Sequence, residues 1–350
     1  MKEARPIAPG GNAYGTHRAV EPAGSLPQPA WRLDNDFTRL FDGEALLAVE
    51  TLNIDAASFA QIAGQGAKDG EIAHIILRTV GERGKQHNAV TGSGGMLLGR
   101  VLQIAPGRSD GLAVGDRIAT LVSLSLTPLR IDRIVAVRSE CAQLDVEGEA
   151  VLFASSAYAK LPHDIPERVA LAALDVAGAA PQVARLVKPN DVVVVLGAGG
   201  KSGLFCVAEA RRCGGAAARV VGVESNARAI DELRALRLCD AVIHLDARDP
   251  VAVRHAVLDA TSGREADVTF SCVSVSDVEA SAILATRDRG VVYFFAMSTS
   301  FTKAALGAEG LGKDVDLFIG NGYARGHAEH TLAMLRDMPD LCAVLERRLR

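Results

Sequence analysis

The spacing of apolar residues changes rhythm near residue 165. Before that point, short apolar runs alternate with turn residues. Residues 44–54 form a β-type run, and the glycine-rich stretch 91–95 leads into a strand over 97–104. Gly115-Asp116-Arg117-Ile118 turns into another strand over 118–124. Helical periodicity marks 70–81, while Pro22, Pro27 and Pro29 make 16–31 an extended arm. Short strands at this spacing predict a small barrel or sandwich over 1–165. From about Pro166 strands and helices alternate. A helix pair covers 168–186, and apolar strands lie at Val192, Val220, Ala241, Val268 and Val291 with helical segments between them. That alternation predicts an α/β fold over 166–325, a doubly wound parallel sheet of Rossmann type. The tail, 326–350, reads as an amphipathic helix and a charged end.

One strand-to-helix junction carries chemistry. Residues 191–203 read DVVVVLGAGGKSG, a buried-strand pattern breaking into glycines, and 204–212 has helical spacing. Free N–H groups and the positive end of the helix dipole favour a pyrophosphate there. The next apolar run, 220–223, ends in Glu224, where a carboxylate would hold a ribose 2′-hydroxyl. Together these predict a dinucleotide site built on Gly197, Gly199, Gly200 and Gly203, with Ser202 donating to the diphosphate. Lys201 either neutralises phosphate or covers the helix end. Glu224 argues for NAD, because a carboxylate repels a 2′-phosphate. Arg228, with Ser225 as a second donor, would instead receive that phosphate and leaves NADP open. The third glycine stands one place late, with Ser202 in its strict position. A triphosphate-binding P-loop is excluded by Val195, which stands where that motif needs glycine. Cys272-Val273 and 295–297 end later strands, the sheet edge where nicotinamide would lie, though Cys272 and Phe295 suit a core equally.

Composition narrows the field. At 350 residues, 38 basic against 42 acidic residues leave a net charge of −4, which invites neither nucleic acid nor an anionic membrane. Apolar residues make up 49%, but no run reaches the ~18 residues of a membrane helix. The opening Met-Lys-Glu-Ala-Arg-Pro lacks the apolar core of a secretory signal, so the expected location is cytoplasmic. Six scattered cysteines form no metal or disulfide framework.

Several strings occur in a known order. Residues 49–55 (VETLNID), Gly99-Arg100-Val101, Gly115-Asp116-Arg117-Ile118 and the glycine loop resemble the medium-chain dehydrogenases/reductases. Residues 26–31 (LPQPAW), 90–97 (VTGSGGML), 121–131 (LVSLSLTPLRI) and Asn321-Gly322-Tyr323 resemble, more narrowly, the L-erythro-3,5-diaminohexanoate dehydrogenase family of lysine fermentation. The resemblance runs from about Gly15 to His330. It implies a GroES-like, β-rich substrate domain beside the Rossmann domain, with a cleft between them. It also implies NAD(P)-dependent oxidative deamination of L-erythro-3,5-diaminohexanoate to 5-amino-3-oxohexanoate and ammonia, and a homodimer or homotetramer. Zinc-dependent members of the superfamily carry Cys or His where this chain has Asp55, Gly95-Met96 and Asp175-Val176, so no metal is expected.

An amine must be neutral when hydride leaves, and water must then attack the iminium carbon. A carboxylate or neutral histidine can move both protons. Asp55, aimed by the motif count into the former zinc position, is the first candidate; it also suits the N-cap of a helix starting near Ala56. Asp175 is placed to hold the second ammonium group, or to pair with Arg185 or Lys188. His87 and His17 are candidate proton carriers. Arg18 and Arg130, in the 127–130 turn, are candidates to grip the substrate carboxylate bidentately, against the alternative of solvated surface arginines. Two rival readings remain. One is a zinc-free quinone or enoyl reductase with an apolar cleft; the other is a cofactor-binding protein without chemistry.

Overall fold

A computed structural model describes residues 4–64, 67–320 and 322–349; Met1 to Glu3, Gln65, Gly66, Asn321 and Arg350 lie outside the described residues. The chain divides into two units, 1–171 and 172–348.

In the first unit the alternating segments form a six-stranded antiparallel sheet. Its order is Tyr158–Lys160, Arg117–Thr120, Met96–Ile104, Ala45–Asn53, Gln143–Leu152, Leu129–Arg138. Leu47, Leu52, Leu97, Ile118 and Leu144 are buried from it into one core. Helix α1, Ala56–Ala63, follows the central strand. Helix α2, Asp69–Arg83, buries Ile72, Ile76 and Val80, a stripe at four-residue spacing, and packs on Leu129–Arg138. It stops at Gly84, whose φ is +65° and where a Cβ would sit 2.0 Å from the Leu33 carbonyl oxygen.

Three expectations change here. The strand from Ile118 ends at Thr120, because Ser123 opens a 3-10 turn over Leu124–Leu126 by accepting the Ser125 N–H. Arg130 sits in a strand rather than a turn. The arm at 16–31 is not wholly extended: it holds a 3-10 turn, Thr16–Arg18, and the strand Ala19–Glu21, which pairs with Arg32–Leu33.

That arm is tied to the end of α2 by Lys85. Its buried Nζ donates to the carbonyls of Pro27 (2.6 Å) and Gln28 (3.0 Å) and meets no carboxylate among the described residues. Burial, with the nearby Arg83 charge, brings its pKa down to about 8. Between about 8 and the ordinary 10.5, the unfolded chain carries a proton that the native chain has released. Stability contributed by this site therefore rises with pH through that window, and below it the penalty is complete. The expected result is that wild-type protein gains melting temperature relative to Lys85→Met between pH 8 and 10. Parallel curves would contradict it.

Helix α3, Glu167–Leu174, spans the boundary between the units, and α4, Ala179–Leu186, follows in the second. An all-parallel sheet follows in the order Ala241–His244, Arg219–Glu224, Val192–Leu196, Ala266–Ser271, Thr286–Phe294, Asp316–Ile319. Numbered within the unit this is 3-2-1-4-5-6, the doubly wound dinucleotide-binding order. Between the strands run α5 (Lys201–Gly214), α6 (Ala227–Leu236), α7 (Pro250–Ala260), α8 (Glu279–Ala285) and α9 (Phe301–Leu311). All five residues of Val192–Leu196 are buried, as a central strand covered on both faces requires. The sixth strand, short and at the edge, was not expected. The tail is two helices rather than one, α10 (His327–Asp337) and α11 (Pro339–Arg348), since Pro339 cannot continue a helix and starts the next. They pack on α4 and α6, so 326–348 belongs to the second unit. No single described helix is long and apolar enough to cross a membrane.

Candidate functional site

The glycine loop stands at the carboxyl end of Val192–Leu196. Gly197 has φ +72°, and a Cβ there would meet the backbone of Cys272 and Val273 at 3.1 Å. A Cβ on Gly203 would lie 2.1 Å from the Gly197 oxygen, which explains glycine at this slightly displaced position. Gly200 is the N-cap of α5, and the first intrahelical bond is Leu204 N–H to its carbonyl. The N–H groups of Lys201, Ser202 and Gly203 therefore lie in the first turn without an intrahelical acceptor, a cradle for a diphosphate.

Glu224 ends the neighbouring strand with both carboxylate oxygens fixed. One accepts the Gly199 N–H at 2.9 Å; the other accepts those of Ser225 (2.8 Å) and Asn226 (2.9 Å). This holds the carboxylate over the loop, where a ribose diol would meet it. Arg228 is well exposed, with Nε 3.6 Å from Glu232. A hollow of about 350 Å³ is lined by Gly199, Gly200, Glu224, Asn226, Arg228 and Arg348, among others. Arg348 carries no local sequence signal. From the last turn of α11 it donates to the Gly199 carbonyl (2.7 Å) and pairs with Glu232. Lys201 does not reach toward a phosphate; its Nζ pairs with Asp175 at 2.7 Å. That ion pair replaces the structural partners expected for Asp175, which meets neither Arg185 nor Lys188. The Cys272 thiol is buried 3.6 Å from that of Cys206, so the side chain faces the core and only its backbone backs the glycine loop.

In the first unit, Asp55 is the N-cap that the sequence allowed. Its Oδ1 accepts the Ser58 N–H at 2.9 Å and caps α1, while Oδ2 is buried without a partner among the described residues. His87 likewise has a buried, unpartnered Nδ1. Burial, then the Arg83 and Lys85 charges, brings its pKa down to about 4, so the ring is neutral at physiological pH.

The other candidate side chains are engaged by protein groups to different degrees. Arg18 is fully buried and spends all five donors. It bonds to Glu44 twice (2.8 Å each), to Asp34 (3.0 Å), and to the carbonyls of Asp36 (2.8 Å) and Arg39 (3.1 Å). None is left for a substrate carboxylate. His17 is equally engaged, its Nε2 at Glu44 (2.8 Å) and its Nδ1 at the Asn12 N–H (3.0 Å). Arg130 gives Nε to Asp132 (3.0 Å) and one terminal nitrogen to Glu149 (2.7 Å). Two of its five N–H groups are thus engaged by protein carboxylates. No group of three or more His, Cys, Asp or Glu residues that could hold a metal is found among the described residues.

Comparison with known proteins places this geometry. Residues 17–162 match the model of the L-erythro-3,5-diaminohexanoate dehydrogenase N-terminal domain. A dehydrogenase of that name from Acetoanaerobium sticklandii is 53% identical over 331 residues, 93% of this chain and 96% of the relative. Another from Fusobacterium nucleatum is 51% identical over 335 residues, 93% and 95% of the two chains. Among solved structures, a mycobacterial quinone oxidoreductase shares the fold with TM-score 0.54 and 18% identity, covering 88% of this chain and 87% of its own. A mycobacterial protein solved with NADPH shares it with TM-score 0.55 and 16% identity, covering 88% of each. The β-rich first unit and the Rossmann second unit thus share their fold with these structures, and by identity over nearly its whole length the chain belongs to the L-erythro-3,5-diaminohexanoate dehydrogenase family.

Proposed function

We propose that this chain oxidatively deaminates L-erythro-3,5-diaminohexanoate at C3 with NAD as acceptor. The products are 5-amino-3-oxohexanoate, ammonium and reduced cofactor, with one water consumed and one proton released. The observation that carries this reading is the 51–53% identity, over about 93% of the chain, to two dehydrogenases of that name. The site chemistry agrees with it. A bound nicotinamide supplies the hydride acceptor. Asp55, through its unpartnered Oδ2, takes the proton from the C3 ammonium so that the nitrogen lone pair is free when hydride leaves. Once that first proton has passed to solvent by way of His87, the same oxygen receives a proton from the water that adds to the iminium carbon and returns it to the departing nitrogen. His87, neutral, is the second group able to pass that proton on. The test is a coupled assay in which purified protein, NAD and L-erythro-3,5-diaminohexanoate yield reduced cofactor and ammonium one-to-one. Cofactor reduction without ammonium would overturn the reading.

Glu224 supports NAD rather than NADP. Its carboxylate, held by three backbone N–H groups, would lie against a 2′-phosphate, and like charges so placed cost several kcal/mol. Glu224→Ser, leaving Arg228 and Arg348 in place, should raise the NADP-to-NAD ratio of kcat/KM by about tenfold or more, roughly 1.4 kcal/mol. An unchanged ratio would show that the carboxylate does not set the preference. The exposed Phe318 and Ile319 of the edge strand Asp316–Ile319 support a homodimer or homotetramer. Sedimentation of the pure protein as a monomer would remove that element.

A further inference from the structure

Eight buried side-chain nitrogen and oxygen atoms lack a hydrogen-bond partner among the described residues. Half of them belong to two short segments of the first unit: Asn53 Nδ2, Asp55 Oδ2, Gln86 Oε1 and His87 Nδ1. Folded proteins rarely leave such atoms unpaired, and a group of them signals a partner that is not protein. Asn53 and Gln86 are each only 1% exposed, so bulk water does not serve them.

The two segments are clasped together. Gly94 and Gly95 pass between them. A Cβ on Gly94 would fall 2.2 Å from the Gln86 carbonyl oxygen, and one on Gly95 2.1 Å from that of Asn53. Farther along, the Asn88 side chain donates to the Ser58 carbonyl (3.4 Å), and the hydroxyls of Ser58 and Thr91 are 2.6 Å apart. Ser58 is in turn the residue whose N–H Asp55 caps. Residues 53–58 and 86–91 therefore run along one seam, and the four unpaired atoms belong to residues of it.

The chemistry of the four atoms is selective. Asp55 Oδ2 is an anionic acceptor and Gln86 Oε1 a neutral one. His87 Nδ1 accepts in the Nε2–H tautomer of the neutral ring, and neutrality is the state that burial and its cationic neighbours enforce. Three acceptors with one negative charge match the three N–H donors of a primary ammonium group. An alcohol or a thioether would leave at least two of them unserved. The fourth atom, the donor on Asn53, suits the oxygen of an incoming water.

We infer that Asp55, Gln86 and His87 form a binding site for one primary ammonium group, with Gln86 the residue that selects nitrogen over oxygen at the reacting carbon. This rests on the proposed function in one respect only, that the group held is the C3 amine. Asn53 is assigned to the water that replaces the nitrogen.

The reverse reaction reads the site directly, because ammonium is then a separate substrate beside 5-amino-3-oxohexanoate and reduced cofactor. Gln86→Leu removes one acceptor and should raise the KM for ammonium about tenfold, leaving the KM for reduced cofactor and the melting temperature unchanged. Gln86→Glu keeps an acceptor and should hold the ammonium KM at or below wild type. An unchanged ammonium KM in folded Gln86→Leu overturns the inference, as does a raised one in folded Gln86→Glu. A second readout needs no turnover: methylammonium should raise the melting temperature of wild-type protein and of Gln86→Glu but not of Gln86→Leu, and failure to shift the wild type would count against the site. If wild type binds methylammonium but makes no reduced cofactor from the diamino acid, the proposed function fails and the ammonium site stands.

Discussion

Arg18→Met should destabilise the first unit by about 3–5 kcal/mol, seen as a large fall in its urea midpoint. Burial opposes the guanidinium charge, but its bonds to Glu44 and Asp34 outweigh that and raise its pKa. Glu44 is buried in turn. Desolvation raises its pKa, yet Arg18 and His17 bring it below the ordinary carboxylate value. Methionine matches the length of the arginine stem and leaves this carboxylate with only His17 and the Phe41 N–H. Most of the loss is then the cost of a stranded charge rather than the worth of the pair. Adding Glu44→Leu to Arg18→Met should accordingly recover much of it. A loss below about 1 kcal/mol for the single variant would mean that water reaches Glu44 freely.

Asp55→Asn carries the largest expected effect on turnover. Asparagine caps a helix as well as aspartate does, so α1 and the melting temperature should hold. What disappears is the basicity of the unpartnered Oδ2, and kcat should fall about 10²- to 10⁴-fold, with KM for the diamino acid raised as well because its ammonium group loses an anionic acceptor. Asp55→Ala should lose the same turnover and, in addition, about 1 kcal/mol of stability from the cap. A kcat within about threefold of wild type for the asparagine variant would move the base elsewhere, with His87 next in line.

The sequence made the second unit legible because its signals are local. DVVVVLGAGG compresses a central strand and a turn into adjacent residues, and Glu224 follows at the end of the next apolar run. The strand pair Leu129–Arg138 and Gln143–Leu152 was hidden by its charges, Arg130, Asp132, Arg133, Glu147 and Glu149. These neutralise one another across the sheet as Arg130–Glu149 and Arg133–Glu147 instead of marking a loop. Long-range pairing hid the other facts. Nothing near Arg18 announces that Glu44 and Asp34 will consume it, and nothing near Asp175 announces Lys201. Arg348 reaches the glycine loop across almost half the chain. Gln86 escaped notice for a different reason: an amide beside a lysine and a histidine has no motif, and only its unpaired oxygen distinguishes it.

The central claim is that hydride leaves C3 of the diamino acid for a nicotinamide. Substrate carrying deuterium at C3, incubated with NAD, should deliver the label to C4 of the reduced nicotinamide and leave none in the keto product at that carbon. Mass spectrometry of the two products reads both. Deuterium washed into water, with the cofactor unlabelled, would mean that C3 loses a proton rather than a hydride and would contradict the account.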